Sequence, residues 1–246
     1  MLPPLTTLRH ELEREASLLK RIASTRLLDR APEHQSVVVI RDLLPTEQYE
    51  SLRDLGLAHK DRFVRQKSFI RDGAAIDLHE LQSSPCAPLV DALVNSAVLE
   101  RVQARTQRPR MNYVDPTDTN QISLLYYGEP GDGIDWHYDG TIYLGERWAG
   151  IYTLHETSHT ECSALELMPN GVPQKLPQRG LGNSLILFQG DSVKHRVRPT
   201  LPGEERLVAN LLFATSPQQS RNPLLHLSQR AVNYAFYGKL KHRRAR

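Results

Sequence analysis

The second half of the chain is divided into short apolar runs by turn residues. From Asn120 onward these runs are rich in β-branched and aromatic residues, and Gly, Pro, Asp and Asn separate them, which is the pattern of strands joined by turns. The predicted strands cover residues 121–127, 148–155, 164–167, 184–188, 193–198 and 206–214. Strands this short bury their apolar faces by pairing into a sandwich or a barrel.

The first half of the chain is mainly helical. Apolar residues recur at helical spacing among many charges, and the predicted helices cover residues 5–30, 88–96 and 98–106, with another that opens near Pro45 or Thr46. A β-branched strand at 35–40 and a strand with a turn at 63–73 lie between them. We therefore expect an α+β fold with a mainly β core in a single domain, with helical support at 1–110, the core at 111–216 and a C-terminal segment at 217–246.

Composition excludes several classes of protein. Cys86 and Cys162 stand far apart in the 246 residues, which argues against a disulfide scaffold and a structural zinc site. The net charge of +3 owes much to the basic tail at 239–246, and a tail of this kind is usually solvated rather than a nucleic-acid contact. The polar N-terminus is unlike a signal peptide. A helix that spans a bilayer needs a run of about 18 apolar residues, and the sequence has none. We expect a soluble, cytoplasmic protein that contacts neither membrane nor nucleic acid; its oligomeric state is not predicted.

A candidate metal motif follows the Gly-rich turn at 128–133. His137 and Asp139 are two residues apart, and side chains at this spacing on a strand face the same way. An isolated HxD is common by chance, but His195 follows an apolar strand and a Gly-Asp turn that would return it to the same place. Two imidazoles and one carboxylate on one side of a ferrous ion leave its other positions open.

Arg206 adds a fourth member to this constellation. It stands eleven residues after His195 and opens the apolar strand at 206–214. A guanidinium at the head of a buried strand requires a planar anion, because an unpaired buried charge is costly. The anion is either a bound carboxylate or an internal partner, for which Glu204 and Glu205 are the candidates.

A second metal motif competes with the first. The segment 155–159 reads His-Glu-Thr-Ser-His, which on a helix would bind zinc, as in metalloproteases. Its surroundings are instead strand-like, and on a strand the two histidines would lie about 13 Å apart, too far for one ion. We expect Thr153 and His155 to end a barrel strand and His159 to lie in a loop, and a lining role in the site is the remaining alternative.

Together these motifs resemble the iron(II)/2-oxoglutarate-dependent oxygenases, whose pattern is HxD, a long interval, His, and then Arg or Lys. The resemblance extends over 121–215 and includes Tyr127-Gly-Glu-Pro-Gly131 before the HxD. It implies a double-stranded β-helix, or jelly-roll, with flanking helices, and Fe(II), 2-oxoglutarate and O2 as cofactor and co-substrates. His137, Asp139 and His195 would bind the iron, and Arg206 and Tyr127 the 2-oxoglutarate. Some members have Ser two residues after the arginine, where this chain has Val208.

The resemblance also suggests the kind of reaction. Similar halogenases have Gly or Ala in place of Asp139, so hydroxylation is expected. In small oxygenases that act on amino acids, an Asn at the place of Asn210 contacts substrate and an earlier arginine, here Arg71, binds its carboxylate. Trp136 is a further candidate for substrate contact, together with Tyr143 as part of a lid.

Each of these side chains also has a structural alternative: a core amide for Asn210, a surface or structural role for Arg71, and aromatic packing for Trp136 and Tyr143. Strand alternation leaves open whether Gln121 and Ser123 or Tyr126 line the pocket. We expect an enzyme that hydroxylates a free amino acid or a related small molecule. A peptidyl or nucleic-acid hydroxylase or demethylase and a non-catalytic binding module are the alternatives.

Overall fold

The computed structural model describes residues 5–27, 37–68, 70–118 and 120–237. Within these residues the helices are α1 Leu5–Leu27, α2 Thr46–Ala58, α3 Leu78–Gln82, α4 Pro88–Leu93, α5 Ser96–Thr106 and α6 Pro223–Tyr237. The strands are β1 Val37–Ile40, β2 Val64–Lys67, β3 Arg71–Asp77, β4 Asn112–Tyr113, β5 Ile122–Tyr127, β6 Gly133–His137, β7 Arg147–Thr157, β8 Cys162–Met168, β9 Gln174–Pro177, β10 Ser184–Phe188, β11 Lys194–Val197 and β12 Glu205–Ala214.

The strands form one antiparallel path that curls into a half-barrel. Its major part has the order β1-β10-β7-β12-β5-β3, and its minor part has the order β6-β11-β8-β9. The two parts join where β3 pairs with β6, with Arg71 opposite Ile134. β2 and β4 are added beside β3 and β12. The α+β class with a jelly-roll core is confirmed.

Alternation along β12 separates the two faces of the major part. Leu207 and Leu211 belong to the cluster shared with Leu52 of α2 and Leu93 of α4, so this face lies under the helices. Val208, on the other face, packs with Leu125, Tyr127 and Ala75 in the barrel interior. Each leucine buried between helices and sheet contributes about 2 kcal/mol to stability. The helical layer covers the outer face and leaves the interior face to the site.

The predicted strands of the second half are all present, with ends that shift by two residues at most. In the first half, the segment at 63–73 predicted as a strand with a turn contains β2, and Asp72 and Gly73 lie inside β3; between the two strands the Ser68 N–H donates to the Arg71 carbonyl at 2.8 Å. Gly73 has a φ of 150°, and a Cβ there would lie 3.0 Å from the Tyr127 ring. The absence of a side chain at Gly73 therefore leaves room for the Tyr127 ring inside the sheet.

Four elements of the structure have no counterpart in the prediction, namely α3, α6, β4 and β9. α3 begins with a capping box formed by Asp77 and Glu80. Residues 28–30 of the first predicted helix, 35–36 of the first predicted strand and the tail at 239–246 lie outside the described residues. No helix in the described part of the chain combines the length and the apolar character needed to span a bilayer.

Candidate metal centre and carboxylate pocket

The three predicted metal ligands come together at the end of the minor part of the sheet. His137 ends β6 and is paired in register with His195 of β11, which brings the two ring centres to 4.1 Å. Asp139 follows β6, and its backbone N–H donates to the Gly190 carbonyl at 2.8 Å. Its Oδ1 lies 3.9 Å from Nε2 of His137 and 3.8 Å from Nε2 of His195. Among the described residues this is the one group of His, Cys, Asp and Glu side chains placed to hold a metal ion.

Both imidazoles are prepared to act as ligands. Nδ1 of His137 lies 2.7 Å from the Asp135 carbonyl, and Nδ1 of His195 lies 2.9 Å from the Val193 carbonyl. A carbonyl only accepts, so we assign the proton to Nδ1, which leaves the lone pair of Nε2 facing Asp139. Burial lowers the pKa of His137 to about 3 and also lowers the pKa of His195. Both rings are therefore neutral near pH 7, the form that binds a metal.

Asp139 is held by an arginine that the sequence did not single out. Arg147, the first residue of β7, donates from Nη1 to Oδ2 of Asp139. Burial alone would raise the pKa of Asp139, but the charge and hydrogen bond of Arg147 and the two neighbouring histidines together outweigh it, and the pKa lies well below its usual range. A Cβ at Gly190 would collide with Oδ2 of Asp139 and lie 2.7 Å from Nη1 of Arg147. The sequence signal for this contact was the glycine shortly before His195, because close approach of a side chain to backbone is a common reason for glycine.

Arg206 lies in the barrel interior beside Tyr127, its register partner on β5. The arginine side chain is 2% exposed, and its Nε and Nη2 make no hydrogen bond within the described residues. The predicted internal partners are wrong: Glu204 pairs with Arg198 at 2.6 Å, and Glu205 pairs with Lys60. Arg206 Nε instead lies 3.4 Å from Oε2 of Glu156.

Glu156 reaches the interior because β7 contains a bulge. Leu207 is opposite His155 while Val208 is opposite Thr153, so Leu154 is an extra residue on β7. An extra residue reverses the alternation of every side chain after it. Glu156 therefore shares the face of Arg206, and its side chain is 3% exposed.

The metalloprotease interpretation of segment 155–159 is wrong, because the segment runs from the end of β7 into a loop rather than along a helix. His155 lies on the other side of the strand from Glu156, 3.9 Å from Glu205. His159 lies in the loop, with Nε2 2.7 Å from the Pro202 carbonyl. The strand-end position of His155 and the loop position of His159 are as predicted, and the residue of the motif that lines the interior is Glu156.

Two of the predicted substrate residues, Asn210 and Arg71, lie on interior faces of the sheet. Asn210 is on the Arg206 face of β12, opposite Ser123 of β5, so the odd-numbered residues of β5 line the interior. Arg71 is 3% exposed and shares the face of Ala75 on β3, whose side chain packs in the interior.

The two aromatic candidates lie elsewhere. Trp136 is on the opposite face of β6 from His137, and the Arg196 guanidinium lies 4.7 Å from its ring centre. Tyr143 is 2% exposed, and its hydroxyl donates to Asp118. We therefore leave Trp136 out of the proposed substrate site, because it stacks with Arg196 on the face opposite His137, and we assign a packing role to Tyr143, which is buried against Val114, Leu212 and Ala214.

No protein-family model and no curated protein matches the sequence. The structure, in contrast, is similar to solved structures. A prolyl-4-hydroxylase from Pseudomonas putida is 14% identical with a TM-score of 0.54, over 82% of this chain and 98% of that one. A prolyl hydroxylase from Trichoplax adhaerens, in complex with a hypoxia inducible factor peptide fragment, is 15% identical with a TM-score of 0.54, over 94% and 97%.

A third solved structure, from Burkholderia pseudomallei, is described as an oxidoreductase of the 2OG-Fe(II) oxygenase family. It is 9% identical with a TM-score of 0.56, over 83% of this chain and 93% of that one. At identities this low the likeness concerns the fold. The chain has the double-stranded β-helix fold of the 2-oxoglutarate–Fe(II) oxygenases.

Proposed function

We propose that the protein is an Fe(II)- and 2-oxoglutarate-dependent dioxygenase that hydroxylates an unactivated C–H bond of a free amino acid or a related small molecule, with release of succinate and CO2. One observation carries the proposal. The His137, Asp139 and His195 donors and the buried Arg206 guanidinium occur in one half-barrel, and they match the two ends of a 2-oxo dicarboxylate, one bound at a metal and one at a cation.

The donor set fits a ferrous ion. Two neutral imidazoles and one carboxylate on one side leave three positions for other ligands, whereas structural zinc sites use four protein ligands. Bound iron supplies oxidation of a C–H bond by O2, coupled to decarboxylation of the 2-oxo acid. The role of Arg147 is to keep Asp139 ionised and in place, since its Nη1 donates to Oδ2 of that carboxylate.

Arg206 is the proposed anchor for the distal carboxylate of 2-oxoglutarate. Its buried Nη2 makes no hydrogen bond within the described residues, and a carboxylate could accept from it in the planar geometry that guanidinium favours. Tyr127 and Val208 on the same face would exclude water around the bound chain. Exclusion of water strengthens the ion pair and prevents unproductive oxidation.

Arg71 and Asn210 are the proposed substrate contacts. Both lie on interior faces, Arg71 on β3 and Asn210 on β12. A buried guanidinium would bind the carboxylate of an amino acid, and an amide would hydrogen bond to its polar groups. The proposed location in the cell is the cytoplasm.

A peptidyl side chain is the alternative substrate, because two of the similar solved structures are named prolyl hydroxylases, one of them in complex with a peptide. Both substrate classes can be tested in one assay. The enzyme is incubated with Fe(II), 2-oxoglutarate and O2 and a pool of free amino acids or of proline-containing peptides, and products are detected by the mass gain of one oxygen.

The proposal predicts succinate in proportion to oxidised amino acid. Oxidation of the peptides instead would replace the substrate class and keep the chemistry. Asp139→Ala should abolish both products, and turnover that persists in this variant would refute the assignment of Asp139 as a ligand.

A further inference from the structure

Glu156 is a buried carboxylate that the proposed reaction does not use. It belongs to the segment 155–159 that imitates a zinc motif, and the bulge at Leu154 turns it toward Arg206. Its side chain is 3% exposed and that of Arg206 is 2% exposed. Two opposite charges are thus enclosed together in the interior of the barrel.

The surroundings of Glu156 hold its carboxylate firmly. The Ser163 hydroxyl donates to both oxygens, at 3.0 and 2.9 Å, and the Ala164 N–H donates to Oε1 at 2.6 Å. Ser163 and Ala164 are in β8, so the minor part of the sheet fixes a side chain that comes from the major part. Oε2 lies 3.4 Å from Nε of Arg206, an ion pair without a hydrogen bond.

Arg206 is engaged on one edge only. Its Nε side faces Glu156, while its Nη2 is buried and makes no hydrogen bond within the described residues. A buried guanidinium without any counter-charge would cost several kcal/mol. A second carboxylate bound to the Nη edge would be attracted by Arg206 and repelled by Glu156, because like charges at short range in a dry interior oppose each other.

We propose that Glu156 is the resident counter-ion of Arg206, which keeps the guanidinium buried and oriented in the ligand-free protein and lowers the affinity of the pocket for a bound dicarboxylate. Glu156 is a positioning residue and touches no reacting atom. The part concerning the dicarboxylate rests on the proposed function, whereas the counter-ion role concerns the protein without ligand.

A double-mutant cycle in the metal-free and ligand-free protein tests the counter-ion role. The variants are Glu156→Gln, Arg206→Met and Glu156→Gln/Arg206→Met, and urea unfolding measures their stability. We expect Glu156→Gln to raise the unfolding equilibrium constant strongly in the wild-type background and about tenfold less in the Arg206→Met background. Equal effects in the two backgrounds would overturn the inference.

A binding experiment tests the effect on the pocket. The midpoint of thermal unfolding is measured with Mn(II) and increasing 2-oxoglutarate. Glu156→Gln should bind 2-oxoglutarate at least severalfold more tightly than the wild type, since the repelling charge is removed; equal or weaker binding would overturn this part. If the wild type is not stabilised by 2-oxoglutarate at all, the proposed function fails, while the double-mutant cycle still decides the counter-ion role.

Glu166→Gln is the matched control. Glu166 is also a buried carboxylate, 5% exposed, and is paired with Arg196 at 2.6 Å, beside Trp136 and away from the interior. This variant should lose stability without any change in affinity for 2-oxoglutarate. If Glu156→Gln alone does not fold, folding of Glu156→Gln/Arg206→Met supports the counter-ion role, and failure of both variants to fold overturns it.

Discussion

Individual charges in this protein are placed in pairs, and the pairing explains why they can be buried. Asp139 has Arg147, and Arg206 has Glu156. Neither partner was predicted from the sequence. Arg147 stands 8 residues after Asp139, outside the strand that carries His137, and Glu156 stands 50 residues before Arg206 and meets it only through the pairing of β7 with β12. The three candidate ligands were singled out from the sequence, since their chemistry and order are visible without any knowledge of the fold, and the structure brings them together.

Replacement of Arg206 by Met should selectively impair binding of 2-oxoglutarate. Loss of a buried charge-assisted contact costs about 2–5 kcal/mol, so we expect KM for 2-oxoglutarate to rise about 30-fold or more while Mn(II) affinity stays within a factor of two. Steady-state kinetics and a Mn(II) titration measure the two quantities. Lys60→Met, which removes the partner of the partly exposed Glu205, is the control, and an unchanged KM in Arg206→Met would exclude the anchoring role.

Replacement of Arg147 by Met should weaken metal binding instead. Without Nη1 of Arg147, Asp139 loses the donor that orients it and the charge that lowers its pKa. Loss of an outer contact to a metal ligand typically reduces affinity about 10–100-fold. Electron paramagnetic resonance titration with Mn(II) measures the loss. Arg196→Met, whose arginine contacts Trp136 on the outer face, should bind Mn(II) like the wild type, and an equal loss in both variants would contradict the role of Arg147.

At the scale of the elements, the positions of the strands were predicted from the sequence, but the bulge within a strand was not. The apolar runs fix where β10 and β12 lie, since β-branched and aromatic residues between turn residues leave few alternatives. The bulge in β7 could not be predicted, because Leu154 looks like any other apolar strand residue. Its consequence is large: without the bulge, His155 rather than Glu156 would face Arg206.

The turn before β12 is an element whose stability depends on one carboxylate. Glu204 accepts from Arg198 at 2.6 and 2.7 Å, from the N–H of Leu201 at 2.9 Å, from the N–H of His159 at 2.9 Å and from Ser158 at 3.1 Å. These donors, Arg198 above all, hold the pKa of Glu204 well below its usual range. The turn is thereby fixed to the loop that follows β7.

Glu204→Gln should destabilise the protein in a pH-dependent way. A depressed folded-state pKa stabilises fully above the unfolded pKa of about 4.3, and this stabilisation is lost as the pH falls through the folded-state value. We expect a loss of about 3 kcal/mol at pH 7 that shrinks below about pH 4. Urea unfolding at several pH values measures it.

Glu129→Gln is the control for that measurement. Glu129 pairs with Arg65 at 3.0 Å but its side chain is 64% exposed, so its removal should cost less than about 1 kcal/mol. A destabilisation by Glu204→Gln that does not change with pH would contradict the ionic role of Glu204.

At the scale of the whole molecule, the pattern of short strands predicted the α+β class with a sandwich or barrel core, and the resemblance to the iron(II)/2-oxoglutarate-dependent oxygenases implied the jelly-roll. HxD, His and Arg fall on β6, β11 and β12 or directly after them, and the curled antiparallel sheet brings these places together. The residues that would contact the substrate are harder to predict. Whether Arg71 and Asn210 face the interior depends on how β3 and β12 pair with their neighbours, and this pairing is not visible in the sequence. Trp136 was the candidate that alternation alone would have removed, since it is adjacent to His137.

The most direct test of the proposed chemistry is the visible absorption spectrum of the protein with Fe(II) and 2-oxoglutarate without oxygen. A 2-oxo acid chelated to ferrous iron gives a weak metal-to-ligand charge-transfer band. We predict this band in the wild type and its loss in His137→Ala, with far-ultraviolet circular dichroism showing that both proteins are folded. A folded wild-type protein without the band, or a band that persists in His137→Ala, would contradict the assignment of the His137, Asp139 and His195 metal centre.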